Sequence, residues 1–147
     1  MNYEFNKNFL IGFELVKRKL ITQEQLDEGL IMQQRKNVRI GKVLMDLGYI
    51  SEDDLVRVIA DQLSVRYIDF TSLEVTPELL KKAPLELVKS CNIFPVAFTD
   101  DSVTFCVSDP LDPQLKETLE KHTTTKVKLA IASRYEIRVA INKHYGG

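Results

Sequence analysis

The first half of this 147-residue chain contains one 24-residue pattern twice, at residues 10–33 and 39–62. The two copies align at an offset of 29 positions, and unrelated segments of this length share only about one or two identities. The identical pairs are Ile11/Ile40, Gly12/Gly41, Leu15/Leu44, Ile21/Ile50, Leu26/Leu55 and Gln33/Gln62. Such a repeat is typical of one supersecondary unit used twice, in which each copy covers the apolar face of the other.

Each copy reads as a helix, a tight turn and a second helix. Apolar residues recur at helical spacing on both sides of the turn. Thr22 and Ser51 follow the turns as predicted N-caps, and a polar residue three positions later brings each close to a capping box. Gly48 suits the left-handed residue after a helix end, whereas Lys19 at the equivalent position requires a different turn or some strain.

The pattern changes after Leu63, and the second half alternates short helical and strand-like segments. Residues 65–70 favour a short extended segment, and a hairpin is predicted at 92–99 and 102–108, followed by a strand at 126–132. Helices are predicted at 76–83, 84–89, 113–122 and 133–144. The expected fold is α+β: a helical subdomain of two tandem helix-turn-helix repeats (residues 1–66), packed on a small α+β subdomain with a three-stranded sheet (67–147).

Composition excludes several classes of function. Twenty basic residues nearly balance twenty-one acidic ones, so the chain lacks the basic excess of DNA or RNA binders. No apolar run is long enough to cross a bilayer, and the first residues do not have the layout of a signal peptide. These features predict a cytoplasmic protein without direct membrane insertion. Cys91 and Cys106 have no motif spacing, which favours buried thiols.

The sequence contains no recognisable catalytic constellation. No segment matches the phosphate-binding loop G-x-x-x-x-G-K-[ST], and neither His122 nor His144 has a cysteine or carboxylate at metal-ligand spacing. The aspartate pairs in residues 100–101 and 109–112 are better explained as turn residues. We therefore expect no enzymatic activity, no metal site and no cofactor.

Three residue types in the repeat suggest more than packing. Gly12 and Gly41 lie in predicted helices, where glycine costs about 1 kcal/mol against alanine and often admits a close neighbour, either a helix or a ligand. Arg39 carries a planar cation that can stack on a base or pair with a phosphate or a guanine edge. The amides of Gln33 and Gln62 can both donate and accept. Helix packing with solvated polar ends is the simpler interpretation, but recurrence of glycine and glutamine favours a ligand site.

The doubled pattern resembles the MshEN domain, the N-terminal domain of the assembly ATPases of type II secretion and type IV pilus systems. The family motif is R-L-G-x-x-[LVI]-[LVI]-x-x-G-[LVI]-[LVI]-x-x-x-x-L-x-x-x-L-x-x-Q, repeated after a five-residue spacer. Residues 39–62 match it with near-conservative changes, residues 10–33 match it in part, and residues 34–38 give a spacer of that length. The turn at 108–110 and the predicted helix ending near residue 145 also resemble the family.

The resemblance implies a regulatory domain that binds cyclic di-GMP, with each repeat serving one half of the ligand. Arginine would contact a guanine base or the phosphate, glutamine a guanine edge, and leucines the base and sugar faces, while glycine would let the backbone come close. The implied ligand-binding residues are Leu10, Ile11, Gly12, Leu26, Leu30, Gln33, Arg39, Ile40, Gly41, Leu55, Ile59, Gln62 and, from the second subdomain, Asp109. The implied protein partners are an ATPase core and an inner-membrane platform protein, through which the domain would associate peripherally with the inner membrane.

Two residues depart from the motif, both in the first copy. Leu10 stands where the family has arginine, and Lys19 where it has glycine. Loss of one arginine contact costs roughly 1–3 kcal/mol, or one to two decades in affinity. The alternative hypothesis is therefore a docking module for the platform protein, in which nucleotide binding has been lost through Leu10 and Lys19.

Overall fold

The structure, a computed structural model, describes residues 11–36 and 38–146. Leu10 lies outside the described residues. The chain divides into two compact units, Met1–Leu63 and Ser64–Gly147. The division falls before Arg66 because this residue begins a strand that pairs within the second unit.

The first unit consists of two helix-turn-helix repeats, as predicted. Helix α1 covers residues 11–17, α2 Gln23–Lys36, α3 Ile40–Asp46 and α4 Glu52–Leu63. Equivalent positions are buried in both repeats, namely Ile11, Leu15, Ile21 and Leu26 in the first and Ile40, Leu44, Ile50 and Leu55 in the second. Most identities between the repeats are thus explained by the apolar core of this unit.

The two turns close with the same backbone hydrogen bonds, which define a Schellman helix end. These bonds join Lys19 to Val16 and Leu20 to Leu15 in the first turn, and Gly48 to Met45 and Tyr49 to Leu44 in the second, at N···O distances of 2.9, 3.0, 3.0 and 3.0 Å. Lys19 (φ 63°) and Gly48 (φ 79°) are both left-handed. Lys19 therefore takes the glycine-type turn and accepts the associated strain, about 1–2 kcal/mol for a residue with a side chain.

The predicted N-caps are confirmed in both repeats. Thr22 Oγ1 accepts from the Gln25 N–H at 3.1 Å, and Gln25 Oε1 accepts from the Thr22 N–H at 2.9 Å, which completes a capping box. In the second repeat Ser51 Oγ accepts from the Asp54 N–H at 3.2 Å. Both second helices thus begin where the local sequence predicts.

The second unit combines four helices with a mixed sheet, which confirms the α+β class. Its elements in chain order are β1 Arg66–Tyr67, α5 Pro77–Leu80, α6 Leu85–Cys91, β2 Phe94–Phe98, β3 Ser102–Val107, α7 Pro113–Lys121, β4 Lys126–Ile131 and α8 Arg134–His144. The strand order is β1-β4-β3-β2, with β2 and β3 antiparallel and the other pairs parallel. The expected number of three strands was wrong, because β1, which lies inside the extended segment predicted at 65–70, pairs with β4 and adds a fourth strand.

An aromatic cluster anchors the end of α8 in the core of the second unit. The Phe94 ring meets the rings of Phe70 and Tyr145 edge-on, with centroids 5.6 and 5.8 Å away. The Tyr145 hydroxyl donates to the carbonyl oxygens of Leu80 at 3.0 Å and Ala83 at 3.2 Å, and burial raises the pKa of Tyr145 to about 12. The final helix is thereby fixed to the turn after α5.

The remaining features concern the thiols and membrane-spanning length. Cys106 is buried and Cys91 half-buried, and both are free thiols. Burial raises the pKa of the Cys106 thiol. Among the helices in residues 11–36 and 38–146, none has the length and apolar character needed to cross a membrane.

Candidate functional site

The candidate residues on α2 and α4 form two equivalent stripes. The α2 stripe consists of Leu26, Leu30 and Gln33, and the α4 stripe of Leu55, Ile59 and Gln62. The i, i+4, i+7 spacing places each stripe on one helix face. Each runs about 10 Å from a leucine that is 5% exposed, past a half-buried aliphatic residue, to a glutamine near the C-terminal end of its helix.

The two repeated glycines bring the helices of each repeat close together. A Cβ added at Gly12 would lie 2.6 Å from Leu26 Cδ1, and one added at Gly41 would lie 2.7 Å from Leu55 Cδ2. Neither contact is compatible with normal van der Waals packing. The sequence left open whether these glycines admit a helix or a ligand, and the structure places the second helix of the same repeat against each of them.

The candidate residues of the first unit therefore separate by exposure. The buried members are Ile11, Gly12, Leu26, Ile40, Gly41 and Leu55. The accessible members are Leu30, Gln33, Arg39 and Ile59, which are half-buried, and Gln62, which is exposed. In this structure the accessible group presents side-chain surface to solvent, whereas the buried group shapes that surface through helix packing.

Arg39 lies directly before α3. Its backbone is extended (φ −69°, ψ 148°), and its carbonyl oxygen accepts from the Val43 N–H at 3.2 Å. The next residue, Ile40, is buried and fixes the backbone from which the arginine side chain extends. Because α2 ends in Arg35 and Lys36, the connection between α2 and α3 carries three cations, a favourable setting for a phosphate.

Gly29 is a packing residue that the sequence reasoning missed. A Cβ at this position would lie 2.9 Å from Leu44 Cδ2 and 3.1 Å from Ile40 Cδ1, so the glycine allows α2 to approach α3. The equivalent residue in the second repeat is Val58, which is buried. The sequence signal that could have identified Gly29 is this break in the repeat: a glycine in one helix corresponds to a β-branched residue in the other.

Polar contacts at the two turns connect each repeat to the second helix of the other. The Arg18 guanidinium lies 2.8 Å from Glu14 Oε1 and 2.9 Å from Asp61 Oδ2, and these hydrogen bonds raise the pKa of Arg18. The Tyr49 hydroxyl donates to Glu28 Oε2, which raises the pKa of Tyr49. These surface contacts contribute little stability but restrict how the repeats pack.

Asp109 belongs to the second unit and acts as a turn residue. Its Oδ1 accepts from the Leu111 N–H at 3.3 Å, and its carbonyl oxygen accepts from the Asp112 N–H at 3.3 Å. The side chain is half-buried. A contribution of Asp109 to ligand binding stays a prediction.

The chemistry available in the first unit is hydrogen bonding, cation contact and apolar stacking. Within the part of the chain that the structure describes, no cluster of three or more His, Cys, Asp or Glu side chains could hold a metal ion. Arg39 and the two glutamines, together with the half-buried aliphatic residues of the stripes, are suited to flat heteroaromatic rings that carry anionic groups.

A sequence model of the MshEN domain matches residues 63–147, more than half of the chain. Three curated relatives each align with 92% of the chain. The type IV pilus assembly ATPase PilB is 29% identical over 135 residues in Myxococcus xanthus and 25% over 137 residues in Thermus thermophilus. Bacteriophage adsorption protein B of Escherichia coli K12 is 24% identical over 135 residues. The chain spans 24%, 15% and 18% of these relatives.

Two solved structures share the fold. A structure of MshE with cdg (cyclic di-GMP) superimposes with a TM-score of 0.79 at 24% identity, covering 92% of this chain and 98% of that one. The N-terminal domain of XpsE superimposes with a TM-score of 0.73 at 23% identity, covering 92% and 94%. At this level of identity the likeness establishes the fold alone.

Proposed function

This chain belongs to the MshEN domain family, and from that premise we propose that it is a non-catalytic regulatory domain that binds cyclic di-GMP through its two repeats. The family inferred from the repeat is confirmed, although the matching sequence model covers residues 63–147 rather than the repeat itself. The PilB relatives support a place beside the core of a secretion or pilus ATPase. The MshE structure with cyclic di-GMP supports the choice of ligand.

The observation that carries the proposal is the symmetry of the first unit. The two turns share their left-handed conformation and hydrogen-bond pattern, and each stripe runs with the same spacing from a buried leucine to an accessible glutamine. A ligand made of two identical nucleotides presents the same bases and phosphates twice. Paired binding elements of matching chemistry are suited to such a ligand.

The accessible residues have distinct proposed roles. Arg39 contacts the guanine edge or a phosphate, because its fork of donors matches the guanine acceptors and phosphate oxygens. Gln33 and Gln62 contact base edges through their amides. Leu30 and Ile59 cover the base and sugar faces. The buried glycine–leucine pairs set the spacing between the helices that carry these groups.

The second repeat has the more complete half-site. It retains Arg39, whereas Leu10 occupies the corresponding position of the first repeat. Lys19 does not alter the turn, since its backbone is left-handed like that of Gly48. The departure at Lys19 therefore affects strain, and the departure at Leu10 affects ligand chemistry. We expect saturable binding that is weaker than two complete half-sites would give.

A second candidate function is docking to an inner-membrane platform protein, which would hold the domain peripherally at the membrane. One observation favours it: Phe13 and Ile31 of the first repeat are 58% and 57% exposed. The equivalent positions of the second repeat hold the charged Lys42 and the buried Ala60. Exposed apolar side chains thus accumulate in the repeat that has lost its arginine, and such side chains are suited to a protein surface.

Calorimetric titration of the chain with cyclic di-GMP, with GTP and cyclic di-AMP as controls, tests the first function. Micromolar or tighter binding that is selective for cyclic di-GMP supports it, and absence of binding at high micromolar ligand rejects it. The docking function is tested with the purified cytoplasmic part of the platform protein from the same machine. A Phe13→Ser/Ile31→Ser variant should lose that interaction, whereas an unchanged affinity would contradict docking through these residues.

A further inference from the structure

The exposed side of α8 carries cations around an apolar centre. Tyr135 and Val139, one helical turn apart, are 74% and 46% exposed. The remaining exposed residues of this helix are Asn142 and three cations, namely Arg134, Arg138 and Lys143. The carboxylate of α8, Glu136, is half-buried, and its Oε1 accepts from the Tyr67 hydroxyl at 2.8 Å and from Ser133 Oγ at 3.2 Å. These six exposed residues form the basic face of α8.

The exposed side of α2 has the opposite charge, again around an apolar centre. Ile31 is 57% exposed. Between residues 24 and 30 the exposed side chains are all carboxylates, namely Glu24, Asp27 and Glu28. Asp27 Oδ1 accepts from Gln23 Nε2 at 2.9 Å and Glu28 Oε2 from the Tyr49 hydroxyl, so both are held by neutral donors and keep their negative charge. These three carboxylates and Ile31 form the acidic face of α2, and the cations of α2 lie beyond it, in the last turn.

The two faces match in layout as well as in sign. Glu24 and Glu28 on α2 and Arg134 and Arg138 on α8 are pairs of like charge, each spaced by one helical turn, about 6 Å. In both faces the apolar centre has charged side chains on either side of it. Each face repels a copy of itself but attracts the other, because opposite charges stabilise a contact and like charges oppose it. Charge complementarity therefore favours a contact between α2 and α8 over a symmetric one.

We propose that the basic face of α8 in one copy of this chain binds the acidic face of α2 in a second copy, in a head-to-tail contact. Such a contact leaves one face open on each terminal copy, so association extends beyond a dimer until a ring closes. Tyrosine and arginine are residue types enriched at protein interfaces, which suits the centre and the flank of the basic face. One helix face covers less than the roughly 800 Å² that each partner buries in a stable complex, so the free chain associates only at high-micromolar concentration.

This inference goes beyond the proposed function, because the contact does not use the candidate ligand residues. Glu24 and Asp27 lie on a different side of α2 from its stripe. A chain that fails to associate but binds cyclic di-GMP would reject the inference alone, and the reverse result would reject the proposed function alone. Ile31 also belongs to the docking candidate, so the main test changes charged residues and uses no platform protein.

The test is sedimentation velocity of the purified chain up to millimolar concentration. The average mass of the parent chain should rise with concentration, and high salt should reduce the association. The Glu24→Arg/Asp27→Arg and Arg138→Glu/Lys143→Glu variants should each associate at least tenfold more weakly than the parent chain. An equimolar mixture of the two should associate again, because each variant then meets the opposite charge on the other. Circular dichroism checks that both variants fold.

A matched control separates the contact from net charge. Glu117→Arg/Glu120→Arg changes two exposed carboxylates on α7 and should associate as the parent chain does. Equal loss of association in this control would show that net charge alone acts and would overturn the inference. A parent chain that stays monomeric at millimolar concentration, or a mixture that does not associate, would also overturn it. If the monomeric chain instead binds phosphatidylglycerol vesicles through Arg138 and Lys143, the basic face serves a lipid surface and the inference is wrong.

Disulfide cross-linking locates the contact independently of charge. In a Cys91→Ser background, a mixture of the Ile31→Cys and Tyr135→Cys chains should form a disulfide-linked dimer under mild oxidation. Either chain alone should form at least tenfold less dimer, since a head-to-tail contact places the two positions on different copies. Equal cross-linking of Ile31→Cys with itself would show a symmetric contact and overturn the inference.

Discussion

Residues 10–33 and 39–62 bury the same apolar positions and close the same left-handed turn, yet they differ at two signature positions of the family motif. Lys19 shows that the turn tolerates a side chain at the cost of strain. Leu10 shows that the arginine is not needed for the chain to retain the repeat. The comparison separates residues that hold the repeat together from residues that are free to set its chemistry.

The contacts between repeats show a second asymmetry. Gly29 lets α2 lie close to α3, whereas the equivalent Val58 fills the core on α4. Two copies of one unit cannot occupy identical environments when they pack on each other in a single chain, unless an exact symmetry axis relates them. Departures from the repeat at such positions are therefore explained by packing.

The largest expected effect tests whether the two glycines are equivalent. Gly12→Val and Gly41→Val should each lower the free energy of unfolding by about 1–3 kcal/mol, because the new side chain meets a buried leucine at less than 3 Å. Urea denaturation of the full chain measures the free energy of unfolding of both variants. Lys42→Val, exposed on α3, is the control and should change stability by no more than about 0.5 kcal/mol. A large loss of stability in only one of the two variants would show that the two glycines are not equivalent.

The next effect concerns binding rather than stability. Arg39→Ala should weaken cyclic di-GMP binding at least tenfold, about 1.4 kcal/mol, because it removes a charged fork of donors from the second half-site. Calorimetric titration measures the change. Lys42→Ala, in the first turn of α3, is the charge-matched control, since Lys42 Nζ already pairs with Asp46 Oδ1 at 2.9 Å. If the Arg39→Ala and Lys42→Ala variants bind cyclic di-GMP with equal affinity, Arg39 does not contribute to the binding site.

The helix caps give a smaller difference between the repeats. Thr22→Ala and Ser51→Ala should each cost about 1 kcal/mol, because each frees one backbone N–H at a helix start. Thr22→Ala should cost less than Ser51→Ala, since the bond from the backbone N–H of residue 22 to Gln25 Oε1 remains in the variant and still supports the first turn. Thermal unfolding of the two variants checks the order. A greater loss from Thr22→Ala would show that the remaining bond to Gln25 adds nothing in the first repeat.

The smallest expected effect is at the turns, and its sign differs between the repeats. Lys19→Gly should raise the free energy of unfolding by a few tenths to about 1 kcal/mol, because relief of left-handed strain exceeds the added entropy of the unfolded chain. Gly48→Lys should lower it by a similar amount. Paired urea titrations measure both. Destabilisation by Lys19→Gly would mean that the lysine side chain makes a contribution larger than its strain.

Much of the fold follows from local sequence, and the exceptions have clear causes. The hairpin, the caps at Thr22 and Ser51 and the closing helix after Ser133 were predicted because turn and cap chemistry acts within a few residues. The extended segment at 65–70 was predicted, but its place in the sheet as β1 was missed because its pairing partner, β4, lies more than sixty positions further along the chain. The left-handed Lys19 was left open because strain at one residue depends on the packing of the helices around it.

The sequence by itself determined that the first unit is a duplicated helix-turn-helix and that its stripes end in glutamines, because periodicity, caps and repeats are local properties. Tertiary structure decided which stripe residues remain accessible and that Gly12 and Gly41 face leucines of their own repeats. The physical reason is that a helical pattern specifies which residues share a face. Whether that face meets another helix or solvent depends on residues far away in the chain.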